Sequence, residues 1–174
     1  MAGAAPNLTT LGSFFAYRNA DLGVVMNYPA LWQREEQANP TGFALTFFPP
    51  IEGPASQFRE HVLFSIQPLL TSISLDDYVQ FTLREIQGRY KLTAPTPATL
   101  GELPARQLIY TGPLSPMFPQ PGKFWALVAV TDTRAFMFRY TARSQRFAFY
   151  LSQVQEIIAS FAILSPPSHD NDTH

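Results

Sequence analysis

Apolar and polar positions divide the chain into strand-like runs first and helical runs later. SFFAYRN (13–19) and LGVVMNY (22–28) flank NAD, whose Asn and Asp tolerate turn backbone, so the pair reads as a hairpin. Pro29 has no N–H to give a ladder and closes the second strand. Trp32 follows three residues later and is placed to fold back over the strand it leaves. GFALTFF (42–48) and HVLFSIQ (61–67) are further strands, each stopped by proline, with a loop, IEGPASQFRE, between them.

The period then changes. SLDDYVQFTLREIQGRY opens on Ser74 with Asp77 three residues on, a capping box with Asp in place of Glu. Leu75, Tyr78, Val79, Thr82, Leu83, Ile86 and Tyr90 share one helical stripe, while Asp76, Gln80, Arg84 and Gln87 face away. Glu85 and Arg89 are spaced to pair. KLTAPTPATLGELPA reads as a loop, RQLIYTG (106–112) as a strand and PLSPMFPQPG as a proline-rich loop. KFWALVAVTDTRAFMFRYTA is a long hairpin turning near Asp132 and Thr133. A second amphipathic helix follows, with Phe147, Tyr150, Leu151, Val154, Ile157, Ile158 and Phe161 on its stripe.

FALTFF, VLFSI and FWALVAV are apolar at nearly every position, whereas a strand with one wet face alternates. The reading is therefore a hairpin-connected sheet buried on both faces. The expected fold class is α+β: an α/β/α sandwich around a central, mainly antiparallel β-sheet with one main helix on each face. Residues 13–164 form a single domain in this reading, after an N-terminal segment of disordered or trimmed character (1–12) and before a flexible polar tail (165–174).

Composition narrows the classes. With 174 residues, 46% hydrophobic and only 14% charged, the chain suits one compact domain whose fifteen Phe fill much of the core. The net charge is −1 and the basic residues are scattered, so no cationic stripe for nucleic acid is expected. The absence of Cys excludes disulfides, thiolate nucleophiles and thiolate metal sites. No run is long enough to span a bilayer as a helix, and the N-terminus lacks the basic and apolar regions of a signal peptide. That leaves a cytoplasmic protein, or one whose targeting segment has been removed.

The ordered set of four phrases carries a resemblance. YRNADLGVVMNYPALW, SLDDYVQFTLREI, LGELPARQLIYTG and VTDTRAFMFRYTARSQRFAFYLSQVQEIIASFAI follow one another between Tyr17 and Ile163. In this order they resemble the PsbP-like family. The resemblance implies the same sandwich and a non-catalytic accessory role at photosystem II or its assembly intermediates. It also implies a thylakoid or other extracytoplasmic setting, peripheral membrane association and a monomer. Calcium is the one cofactor it suggests, because plant members help retain calcium and chloride at the oxygen-evolving centre. The chain departs from the family in lacking a lipobox Cys and a long lysine-rich N-terminal arm. The alternative is an envelope-associated protein binding a small ligand or lipid, since the same fold serves many bacterial envelope proteins.

Candidate chemistry is sparse. Tyr28 and Trp32 suit a core better than a binding face. His61 has no spaced partner ligand and reads as a surface histidine. HDNDTH in the tail offers imidazoles and carboxylates but no claimed metal site. Asp76 and Asp77 are explained by a helix N-terminus. No GxSxG and no phosphate-cradling glycine loop is present, so no catalytic, cofactor or metal residue is expected. The candidate partner contact is Met117 and Phe118, held among the prolines of the loop from Gly112 to Gly122.

Overall fold

The structure, a computed structural model, describes residues 12–54 and 57–165. The expected N-terminal segment and polar tail, HDNDTH included, lie outside the described residues except for Gly12 and Ser165. The chain runs β1 (Phe14–Asn19), β2 (Val24–Pro29), β3 (Gln33–Asn39), β4 (Gly42–Phe48), β5 (His61–Pro68), α1 (Leu75–Ile86), β6 (Lys91–Leu92) and β7 (Thr96–Leu100). It continues through β8 (Leu103–Pro113), β9 (Pro121–Val130), β10 (Arg134–Arg143), a 3-10 turn (Ser144–Arg146), α2 (Phe147–Ala159) and β11 (Ala162–Ile163). All strand pairings are antiparallel. The class is α+β, antiparallel sheets with two helices.

The described residues form two sheets. The larger has the order β3-β4-β5-β10-β9-β8-β6, with β7 also paired to β8; the smaller is β1-β2-β11. The opening hairpin forms as the pattern predicts, but its partner is β11, near the other end of the described chain, rather than the main sheet. β3 (QREEQAN) has no apolar alternation and reads as nothing in particular. It forms because Gly42, at φ +153, lets the chain reverse where an added Cβ would lie 2.6 Å from the Ile66 carbonyl oxygen. The segment expected to be a loop before RQLIYTG contains β6 and β7, and β8 is correspondingly longer.

α1 is capped as its sequence requires: the Ser74 hydroxyl accepts from the Asp77 backbone N–H at 3.1 Å. The helix stops at Ile86, and Gly88 carries φ +86 just after it. Among the described residues Glu85 and Arg89 form no ion pair; Arg106 bonds Asp76 at 3.0 Å instead.

Strand alternation sorts the core. Leu108, Tyr110, Phe124, Ala126 and Val128 cluster with Val79 and the stripe of α1. Ala105, Leu127, Ala129, Phe136, Phe138 and Tyr140 belong to the larger cluster, with α2, β2, Trp32 and the odd-numbered residues of β4. The former side is called here the outer face and the latter the inner face. Phe64 and Phe138 touch at 4.7 Å between centroids, and Phe161 closes over both.

The expectation that three strands are buried on both faces holds only for β9, which α1 covers. β4 and β5 alternate buried and half-buried: Ala44, Thr46, Phe48, Leu63 and Ser65 face outward and remain partly open. One helix of twelve residues is about 18 Å long and narrower than an eight-stranded sheet, so it roofs β8 and β9 and leaves the β3–β5 half of the outer face uncovered.

Candidate functional site

Two proline-rich segments meet at one end of the molecule. The ends of β2, β4 and β8 and the starts of β3, β5, β9 and α2 converge there, because each antiparallel pairing returns the chain to this edge. Trp32 N–H donates to the Pro29 carbonyl at 2.9 Å, closing a turn that holds Leu31 at its tip. Leu31 is 80% exposed. Trp32 itself goes inward, edge-on to Tyr150 of α2 with centroids 5.8 Å apart. Tyr28 packs on Phe47 at 5.0 Å. Both aromatics are therefore core, and the residue between the prolyl turn and the tryptophan is the one displayed.

Between this turn and α2 lies a groove of about 390 Å³, walled by Pro29, Leu31, Trp32, Pro50, Phe149 and Tyr150. Phe149 is 60% exposed on its rim. Across Pro50 and Tyr150 a second cavity, of about 170 Å³, is lined by Ile51, Glu52, Phe58, Arg59, Glu60, Arg143 and Arg146. Two of its three arginines are ion-paired, and Arg59 bonds the Pro49 carbonyl at 2.9 Å. Arg143 reaches both carboxylate oxygens of Glu60, at 2.8 and 3.2 Å, and Arg146 bonds Glu52. Arg146 also lies 4.1 Å over the Phe149 ring. Burial is the main cause that raises the Tyr150 hydroxyl above its ordinary pKa, so it stays protonated.

The proline-rich loop completes this end. Ser115 and Phe118 exchange backbone hydrogen bonds at 3.0 and 3.1 Å, and the Ser115 hydroxyl also accepts from the Phe118 N–H. This tight loop places Met117 at 84% exposure and turns Phe118 onto Phe58, at 5.7 Å. Phe15, Leu31, Ile51, Met117 and Phe149, exposed large apolar side chains, all belong to this end; Leu70 and Phe81 lie elsewhere. Of these, sequence reading singles out Met117 alone. Leu31 hides inside the YPALW phrase and Phe149 falls off the α2 stripe, the one signal that could have found it.

His61 is half-buried rather than a surface residue. Phe48 and Phe58 close on it at 5.8 and 5.7 Å, and its Nδ1 lies 3.0 Å from the Arg59 carbonyl oxygen. Burial lowers its pKa, so the ring is neutral and Nδ1–H donates to that carbonyl. No serine or threonine hydroxyl bonds it among the described residues. Asp76 and Asp77 sit at the α1 N-terminus, one on Arg106 and the other at the cap. The calcium that the resemblance implies finds no fit: no three His, Asp or Glu gather among the described residues. No described helix is long and apolar enough to cross a membrane.

No family model matches the chain, and no curated protein does. Solved structures do. Cyanobacterial PsbP (CyanoP) from Synechocystis is similar over 92% of this chain and 98% of its own, at 16% identity and a TM-score of 0.60. The fold is PsbP-like. LpqN, involved in cell envelope biogenesis of Mycobacterium tuberculosis, is similar over 88% of this chain and 91% of its own, at 14% identity and a TM-score of 0.62. PA94 from Pseudomonas aeruginosa, a protein of unknown function, is similar over 90% of this chain and 100% of its own, at 15% identity and a TM-score of 0.56. The fold is thus shared with a cyanobacterial PsbP and with a protein involved in cell envelope biogenesis, and fold alone does not fix function.

Proposed function

We propose that this chain is a non-catalytic accessory protein that docks on a larger protein assembly through its proline-framed end. The observation that carries the reading is the gathering there of Phe15, Leu31, Ile51, Met117 and Phe149, each more than half exposed. Monomers rarely display such a set together, and displayed apolar patches mark interaction surfaces. Four of these residues stand on a turn, a helix or proline-stiffened loops, which lowers the ordering cost of binding. We read the architecture as an α/β/α sandwich, one main helix on each face of the larger sheet. It is a rigid body suited to presenting a surface.

The likeness to CyanoP makes photosystem II, or an intermediate in its assembly, the first partner to test. The direct assay is binding of the whole chain to purified photosystem II core particles. Leu31→Glu combined with Phe149→Glu is expected to weaken it by about a hundredfold, near 1.4 kcal/mol for each lost anchor. Equal binding by the variant overturns the docking surface. A second reading, an envelope protein taking a small ligand or lipid, is favoured by the 390 Å³ apolar groove and the likeness to LpqN. Under that reading core particles are ignored, while a lipid probe is displaced by Trp substitution at Leu31.

A further inference from the structure

The uncovered half of the outer face holds an unbalanced charge. Arg139 lies on β10 between Leu63 of β5 and Ala126 of β9, so its guanidinium emerges in the middle of the sheet where α1 stops short. It is half-buried, and its Nε is fully enclosed with no hydrogen-bond partner. It forms no ion pair with any described residue. In its own row the nearest carboxylate across the sheet is Glu35, beyond Leu63 and Thr46, about 14 Å away at strand spacing. Two residues along the same face is Thr141, 3% exposed, whose Oγ1 also has no partner. The Tyr110 hydroxyl lies within reach of the guanidinium, which pulls against the rise that burial imposes on its pKa.

An unmatched cation and two orphaned polar atoms on one sheet face are costly and uncommon. Three other arginines are ion-paired, Arg143 with Glu60, Arg146 with Glu52 and Arg106 with Asp76, while Arg59 and Arg134 bond backbone carbonyls. The flank of the trough is apolar. The Tyr78 hydroxyl bonds the Gln67 side chain of β5 at 3.0 Å, so the flank of α1 carrying Tyr78, Phe81 and Glu85 looks toward β5. Phe81 is 55% exposed on that flank. Glu85 lies on the same flank and forms no ion pair with a described cation.

We propose that the trough between α1 and β5 binds a small organic carboxylate, its oxyanion on the Arg139 guanidinium and its apolar body against Phe81, Leu63 and Met137. The Tyr110 hydroxyl, beside the guanidinium, adds a donor, while Thr141 Oγ1 and Arg139 Nε lie enclosed beneath the site. This surface is separate from the proline-framed end and stands whether or not that end docks.

The test is calorimetric titration of the whole chain with sodium octanoate, with octanol as the neutral control and inorganic phosphate as the control without an apolar body. Octanoate is expected to bind at least tenfold tighter than either control. Arg139→Met, which keeps the stem and removes the charge, abolishes that margin, and Arg139→Lys retains part of it. Because Arg139 has no ion-pair partner to orphan and loses only its contact with the Tyr110 hydroxyl, Arg139→Met is expected to unfold within a few degrees of the parent. Amide shifts on adding octanoate to the parent chain should centre on Leu63, Ala126 and Arg139, a readout that needs no variant. Equal binding of octanol, equal binding of phosphate, an unchanged margin in Arg139→Met, shifts centred elsewhere, or no binding at all would each overturn the site.

Discussion

Glu60→Ala tests whether the proline-framed end is held rigid by a buried ion pair. Glu60 is 4% exposed and takes a two-pronged contact from Arg143, whose side chain is 22% exposed. Removing one member of a fully buried pair costs about 3–5 kcal/mol, because the other charge is left without compensation. Arg143 retains some access to water, so the expected loss is lower, about 2–4 kcal/mol. In a chain of this size that lowers the unfolding temperature by about 5–12 °C. The assay is urea unfolding at neutral pH, read as a shift of midpoint at constant slope. The double variant Glu60→Leu with Arg143→Met leaves no orphaned charge and should recover to within about 1 kcal/mol of the parent. A loss below about 1 kcal/mol for Glu60→Ala, or a double variant as damaged as the sum of the singles, refutes the claim that this pair is desolvated and locks β5 to β10.

Other outcomes follow from single contacts. Tyr140→Phe removes a buried hydroxyl that donates to the Phe147 carbonyl at 2.9 Å; thermal unfolding should report a loss of about 1 kcal/mol. Gly42→Ala places a Cβ 2.6 Å from the Ile66 carbonyl oxygen at φ +153, and urea unfolding should register at least about 2 kcal/mol. The pKa of His61 is held below the unfolded value of 6.5, so its contribution is fully present above that pH and is lost as pH falls toward the folded value. Stability should therefore drop with acidification by at most about 1.4 kcal/mol per pH unit from this group, and His61→Phe should flatten that limb of the stability–pH curve.

Helical elements were legible because their signals are local. Ser74 and Asp77 sit at the spacing a cap needs, and the stripe from Leu75 to Ile86 is the one that packs. Pro29 closes β2 where a ladder loses its donor. β3 was illegible for the opposite reason: an edge strand of polar residues is held by its partner β4 and leaves no apolar period. β7 was masked by Pro97, which a sheet tolerates on an edge where no N–H is required of it. The uncovered half of the outer face was beyond sequence reading, because Leu63 and Phe48 are as apolar as residues beneath a helix. Whether a helix covers them depends on where α1 is tethered, by Tyr78 to Gln67 and Asp76 to Arg106. For the same reason Arg139 reads as an ordinary outward residue of a strand, and its lack of an ion pair emerges only once the described carboxylates have their places. At the docking end, proline content pointed to Met117, whereas Leu31 and Ile51 become neighbours only through the folding of β2 and β4 to one edge.

The central claim is that one end of this molecule is its docking surface, and amide hydrogen exchange of the chain bound to photosystem II cores measures it directly. The account predicts slowed exchange at Ala30, Leu31 and Trp32, across the Met117 loop and in the first turn of α2, with the outer face of α1 unchanged. Protection centred on α1 or on β3, with those segments exchanging as in the free chain, would contradict it.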